Sequence, residues 1–146
     1  MRIAVGSDHA GFTLKEHVRE TLATAGHEVI DVGTHSAESV DYPGFAADAA
    51  RLVAAGEADR AVLACGSGHG GAIVPNKVGG IRAVNAPDAG EGEMARRHND
   101  INVVTLSGAA LAPGEANAIV AAFLETAAEG GRHARRVGQI GDLERG

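Results

Sequence analysis

Two hydrophobic rhythms alternate along this chain. Short, nearly continuous apolar runs recur at Arg2–Gly6 (RIAVG), Glu28–Val32 (EVIDV), Ala61–Ala64 (AVLA), Gly80–Val84 (GIRAV) and Asn102–Leu106 (NVVTL). Their length and β-branched content predict strands buried on both faces. Between them the apolar positions take helical spacing, as with Leu14, Val18 and Leu22 in a helix from Phe12 to about Ala25. Further helices are predicted from Tyr42 to about Ala55, over Ala72–Val78, Ala89–His98, Pro113–Ala128 and Arg132–Glu144. Gly26, Gly56 and Gly130-Gly131 end three of them, and Tyr42-Pro43 opens the one that Gly56 ends.

Five alternations of strand and helix predict an α/β fold: a five-stranded parallel sheet with helices on both faces, a three-layer α/β/α sandwich. At 146 residues one domain, 1–146, is expected. Ligands of such sheets sit outside the carboxyl ends of the strands. The polar loops Asp8-His9, Cys65–Gly70 and Asn85–Asp88 fall there. His98-Asn99-Asp100 precedes a strand instead, so it belongs at the other end of its own sheet. If it works, it serves a partner's site, which points to a dimer.

Composition narrows the picture. Hydrophobic residues make up 45% of the chain but aromatics only 3%, so the core must be built from Ala, Val, Leu and Ile. A net charge of -6 gives no electrostatic support to nucleic-acid binding. The single cysteine excludes an internal disulfide and suits a reducing compartment. No run approaches the roughly 18 apolar residues of a membrane span, and the N-terminus lacks the layout of a signal peptide. The expectation is a cytoplasmic protein with no membrane partner.

The richest stretch is Arg60–Lys77, RAVLACGSGHGGAIVPNK. A buried strand delivers Cys65 to a glycine loop, Gly66-Ser67-Gly68-His69-Gly70, and a helix start follows. That layout aims backbone N–H groups at an anion, and amide dipoles favour the thiolate of a cysteine beside them. The loop formally fits G-x-G-x-x-G. The dinucleotide reading is weak because the fingerprint belongs on the first strand and a substrate domain has no room. A phosphatase loop would need an arginine where Gly71 stands. A plain structural turn with Cys65 as a small core residue stays open.

Asp8-His9 offers a carboxylate and an imidazole on one loop, or simply a turn capped by Asp8. His98 ends a helix, where a cationic ring is also favoured by the dipole alone. Arg132 and Arg136 share a helix face and could clamp a phosphate, or form a solvated basic face. His9, His69, His98 and His133 lack close ligand spacing, and there is no second cysteine, so no metal site is expected.

Together these segments resemble the ribose-5-phosphate isomerase B family, which includes allose-6-phosphate and galactose-6-phosphate isomerases. The carriers are Gly6-Ser7-Asp8-His9-Ala10-Gly11, Asp41-Tyr42-Pro43, Cys65-Gly66-Ser67-Gly68, Asn76-Lys77, Gly80-Ile81-Arg82-Ala83, Arg97-His98-Asn99-Asp100 and Glu129-Gly130-Gly131-Arg132-His133 with Arg136. They run in family order from the first strand to the last helix. The resemblance implies a Rossmann-like sandwich and cofactor-free, metal-free aldose–ketose isomerisation of a phosphorylated sugar, ribose 5-phosphate to ribulose 5-phosphate by default. It implies a homodimer with shared active sites, and the last helix, about 132–144, is expected at its interface. Pairing of dimers into tetramers is left open.

Residue by residue, the resemblance makes Cys65 the base that moves a proton between C1 and C2. Ser67 and the amides of Gly66, Gly68, His69 and Gly70 become the anion hole. Asp8 and His98 become ring-opening residues, Asn99 and Tyr42 ligand contacts, and His9, Arg132 and Arg136 phosphate contacts. Three departures stand out. A second branch of the family uses a glutamate six positions beyond Cys65, where this chain has Gly71. Many members have a phosphate-binding arginine where this chain has Ala109. His69 and Pro75 are bulkier or stiffer than the family pattern. A tetrose or hexose phosphate is the alternative substrate, and a non-catalytic sugar-phosphate or nucleotide-binding module the alternative function.

Overall fold

In a computed structural model describing residues 1–146, five strands form one sheet: β1 (Arg2–Ser7), β2 (Glu28–Asp31), β3 (Arg60–Cys65), β4 (Ala83–Asn85) and β5 (Val103–Ser107). Every pairing is parallel, in the order β2-β1-β3-β5-β4. The helices are α1 (Phe12–Thr24), α2 (Tyr42–Ala54), α3 (His69–Ile73), α4 (Ala89–Asn99), α5 (Pro113–Glu125) and α6 (Arg132–Glu144). The expected α/β/α sandwich is therefore present. No helix is long and apolar enough to cross a membrane.

Strand residues alternate between two cores, as a sheet buried on both faces requires. Ile3, Val5, Val62, Val104 and Leu106 point to α1, α4 and α5, where Phe123, Ile119 and Leu22 fill the larger core. Ala4, Ala61, Leu63 and Val103 point the other way, onto Ala46, Ala49 and Ala50 of α2. Small residues on both sides of that second interface let α2 lie close to the sheet. Lys15 sits within α1 at only 2% exposure. Its ammonium is matched by Asp31 at 2.9 Å, Glu16 at 3.2 Å and the Thr34 carbonyl at 2.6 Å.

Three boundaries differ from expectation. The helix predicted over Ala72–Val78 starts earlier, at His69, because Gly68 takes a left-handed φ of 86° and launches it directly. It gives way to a 3₁₀ turn, Pro75–Lys77, because proline cannot continue an α-helix. The strand expected at Gly80–Val84 forms only at Ala83–Asn85, since Arg82 gives its N–H to the Asn102 side chain rather than to a neighbouring strand. Helix α5 stops at Glu125, where Thr126 turns extended, short of the expected Ala128.

Candidate active site

Strands β1 and β3 are neighbours whose following chains leave in different directions, so a crevice opens at their carboxyl ends. Cys65 closes β3 there, in register with Ser107 of β5. The residue is 7% exposed and lines a narrow cavity with Ser7, Asp8, Tyr42, Phe45 and Gly71. Asp8 is also buried. One of its oxygens accepts the Gly11 N–H at 3.0 Å, so the turn-capping reading of Asp8 is met, and the other oxygen stays available to the cavity. The Ser7 hydroxyl is buried with no hydrogen-bond partner. A β-carbon at position 71 would lie 3.2 Å from the Cys65 sulfur. The position where the family's second branch carries its glutamate thus opens on the same cavity.

The glycine loop supplies donors. None of the amide N–H groups of Gly66, Ser67 and Gly68 is given to another protein atom. Ser67 Oγ accepts the His69 N–H at 3.2 Å, which leaves the hydroxyl proton free to donate outward. Gly70 lies against the Tyr42 ring, close enough that a β-carbon would overlap it. The His69 side chain turns to the crevice beside β4 and β5, where its Nδ1 is 3.2 Å from Asn85 Nδ2. His9 is exposed. Its Nδ1 lies 3.1 Å from the Val40 nitrogen and 3.2 Å from the Val40 carbonyl oxygen, which ties the ring to that loop.

A second polar cluster forms at the opposite end of the sheet, where α4 leads into β5. His98, in the last turn of α4, stacks on His133 of α6 with centroids 4.2 Å apart. Asn99 is exposed beside it, with its carbonyl accepting from Arg82. Arg132 and Arg136 are exposed on α6, and neither is paired with a carboxylate. Burial, then the neighbouring His98 and the Arg132 guanidinium, hold His133 below the ordinary histidine range. His98, Glu129 and His133 bring three potential metal ligands within 4.8 Å of one another, a proximity invisible in their spacing. The imidazole planes are nearly parallel, at 4°, so their in-plane lone pairs do not converge on one ion. Arg97 already pairs with Glu129 at 3.5 Å. With Arg132 and Arg136 alongside, the cluster favours an anion.

This arrangement of thiol, glycine loop and basic helix has counterparts. A family model described as Ribose/Galactose Isomerase matches residues 3–140. The chain belongs to that family. Among ribose/galactose isomerases, ribose-5-phosphate isomerase B of Escherichia coli is 43% identical over 143 residues, covering 98% of this chain and 96% of its own. The solved ribose-5-phosphate isomerase B of Clostridium thermocellum is 45% identical, with a TM-score of 0.97 over 99% of this chain and 98% of that one. That of Mycoplasma genitalium, with bound ribulose-5-phosphate, is 36% identical, with a TM-score of 0.94 over 99% and 96%. The chain is an isomerase of this family.

The structure gathers Cys65, Asp8, Tyr42 and the glycine loop at the carboxyl ends of the inner strands, with His9 beyond them. It gathers His98, Asn99, Arg132 and Arg136 at the opposite end of the sheet. Sequence reasoning gave no role to four polar side chains near the loop, Ser7, Asn85, Thr105 and Ser107, although it placed Asn85 at the carboxyl end of the sheet and Ser7 in a family segment. For two of them a signal was present, since Thr105 and Ser107 are polar at alternate positions of an otherwise apolar strand.

Proposed function

We propose that the chain interconverts ribose 5-phosphate and ribulose 5-phosphate through an enediolate, with Cys65 as the base. The observation that carries this is the shared cavity: Cys65 and Asp8 both line it, and the chain runs directly from Cys65 into three amides given to no protein acceptor. The thiolate removes the C2 proton of the open-chain aldose. Negative charge moves onto the carbonyl oxygen, where the Ser67 hydroxyl and the amides of Ser67 and Gly68 receive it. Cys65 then returns the proton to C1, and the oxygens exchange theirs, giving the ketose. Asp8 and His98 open the ring beforehand. His9, Arg132 and Arg136 hold the phosphate, binding remote from the reacting carbons that keeps them in register.

His98 and Cys65 lie at opposite ends of the strands, His98 ahead of β5 and Cys65 at the close of β3, so the working site takes His98, Asn99, Arg132 and Arg136 from a second copy of the chain. Helix α6 supports that homodimer. Its apolar residues Ile140 and Leu143 are 41% and 80% exposed, a face without cover within one chain. The lone free thiol fits a cytoplasmic enzyme. A tetrose or hexose phosphate is the second reading, favoured by Ala109: its backbone N–H binds the Gly66 carbonyl, but no guanidinium extends from that position.

The test is incubation with a panel of aldose and ketose phosphates in deuterated water. Isomerisation puts deuterium at C1 or C2 of the five-carbon pair with the highest kcat/KM. Binding without exchange would reduce the chain to a sugar-phosphate carrier, and a faster six-carbon reaction would move the substrate assignment.

A further inference from the structure

Three consecutive carbonyls of the glycine loop are held by side chains from the ends of β5 and β4. Ser107 Oγ donates to Gly66 O at 2.7 Å, Asn85 Nδ2 to Ser67 O at 3.2 Å, and Thr105 Oγ1 to Gly68 O at 2.8 Å. The donors form one array. Asn85 and Thr105 are register partners across β4 and β5, with Asn85 Oδ1 3.3 Å from Thr105 Oγ1. Ser107 is the register partner of Cys65.

A trans peptide sets the C=O of one residue antiparallel to the N–H of the next, and the chain's one cis peptide, Gly33–Thr34, lies elsewhere. Drawing the Gly66 and Ser67 carbonyls toward β5 and β4 therefore turns the Ser67 and Gly68 N–H groups the opposite way. Those are two of the three amides left without a protein acceptor. Donors help a developing oxyanion when they are fixed before the charge appears, and a glycine-rich segment does not fix itself. Backbone amides share in holding two of the carbonyls: Ala109 N reaches Gly66 O and Ala72 N reaches Gly68 O, each at 3.2 Å. Ser67 O has Asn85 alone. Asn85 cannot be approached more closely by the loop, since a β-carbon on Gly68 would come within 2.2 Å of its Oδ1.

We infer that Asn85, with Thr105 and Ser107, positions the anion hole of the isomerase reaction. None of the three lines the thiol cavity. They are positioning residues, acting through the peptide planes of the loop, and Asn85 is the decisive one. The inference rests on the proposed function above.

The experiment compares the full-length wild type with Asn85→Asp, Thr105→Val and Thr105→Ser. Asn85→Asp keeps the shape but faces Ser67 O with an acceptor. Thr105→Val removes the hydroxyl at nearly constant volume, and Thr105→Ser keeps it. Loss of a direct oxyanion donor costs about 10²–10³ in kcat, and tilting two donors is expected to cost about 10–100-fold in Asn85→Asp. KM for ribose 5-phosphate should stay within about threefold. Binding of a phosphorylated aldonohydroxamate, a planar mimic of the enediolate, should weaken in step with kcat, while binding of inorganic phosphate is unchanged. Thr105→Val should show a smaller loss that Thr105→Ser restores. Should Asn85→Asp not fold, the Thr105 pair decides alone. The inference is overturned if both Asn85→Asp and Thr105→Val keep more than about half of wild-type kcat. It is equally overturned if hydroxamate and phosphate binding fall together, or if Thr105→Ser is as poor as Thr105→Val. A wild type inactive on every sugar phosphate is a different result: it removes the isomerase reading and this inference with it.

Discussion

Gly11 lies so close to Ala64 that a β-carbon on it would come within 2.2 Å of the Ala64 carbonyl oxygen and 2.7 Å of the Cys65 nitrogen. Those are backbone atoms of a central strand and cannot swing aside. The Asp8–Gly11 turn is thus seated directly on the end of β3, and this contact sets how far the Asp8 carboxylate stands from the thiol. Gly11→Ala should destabilise the fold by about 2–3 kcal/mol, through overpacking. Urea unfolding checks it. An unchanged midpoint would mean that the turn is free to lift off the strand.

Cys65→Ala removes the proposed base but no phosphate contact. Turnover of ribose 5-phosphate should fall by about 10²–10⁴-fold, while calorimetric affinity for the sugar phosphate persists. Full activity would take Cys65 out of the reaction.

Arg136 carries no carboxylate partner, so its charge is available to a ligand. Arg136→Ala should raise KM for ribose 5-phosphate by about tenfold or more, as loss of one charge-assisted hydrogen bond does, and leave the slow turnover of unphosphorylated ribose unaltered. Equal effects on both sugars would separate Arg136 from the phosphate.

Lys15→Met strands Asp31, whose side chain is 19% exposed and loses its nearest cation. Breaking a buried pair from one side costs about 3 kcal/mol. Replacing both members, Lys15→Met with Asp31→Leu, should recover most of it. Comparison of chemical-denaturation midpoints among the wild type and these two variants measures the difference.

His133 is held below its ordinary value of 6.5. The unfolded chain therefore binds the more protons between the folded value and 6.5, and stability rises with pH across that window. As pH falls from about 6.5, the contribution of His133 should be lost progressively. Melting temperatures between about pH 8 and about pH 5 should drop less steeply in His133→Asn than in the wild type.

Much of the fold was legible because most strands are short, nearly continuous apolar runs and the longer helices keep apolar residues at helical spacing. Gly26 and Gly56 marked helix ends that propensity alone blurs, and both take positive φ in the structure. What escaped was set by tertiary partners. Helix α5 ends early because the chain beyond it turns to give the Glu129 N–H to the Arg97 carbonyl, a bond between segments distant in sequence. The site divides the same way. Cys65 and its loop could be read from local order, strand to glycine run to helix. Asn85 could not, because its task depends on which strand lies beside β5, and order along the chain does not display the β5-β4 adjacency. The stacking of His98 on His133 likewise exists only once α6 folds back on α4.

In the proposed homodimer each crevice draws Cys65 from one chain and His98 from the other, because the two residues lie at opposite ends of the strands of one parallel sheet. Chains carrying Cys65→Ala and chains carrying His98→Ala should each be inert alone. Unfolded and refolded together, they should regain activity, because every mixed pair assembles one crevice with both groups whole and one with neither. Genetic crosses between such alleles would then complement, although each encodes a dead enzyme.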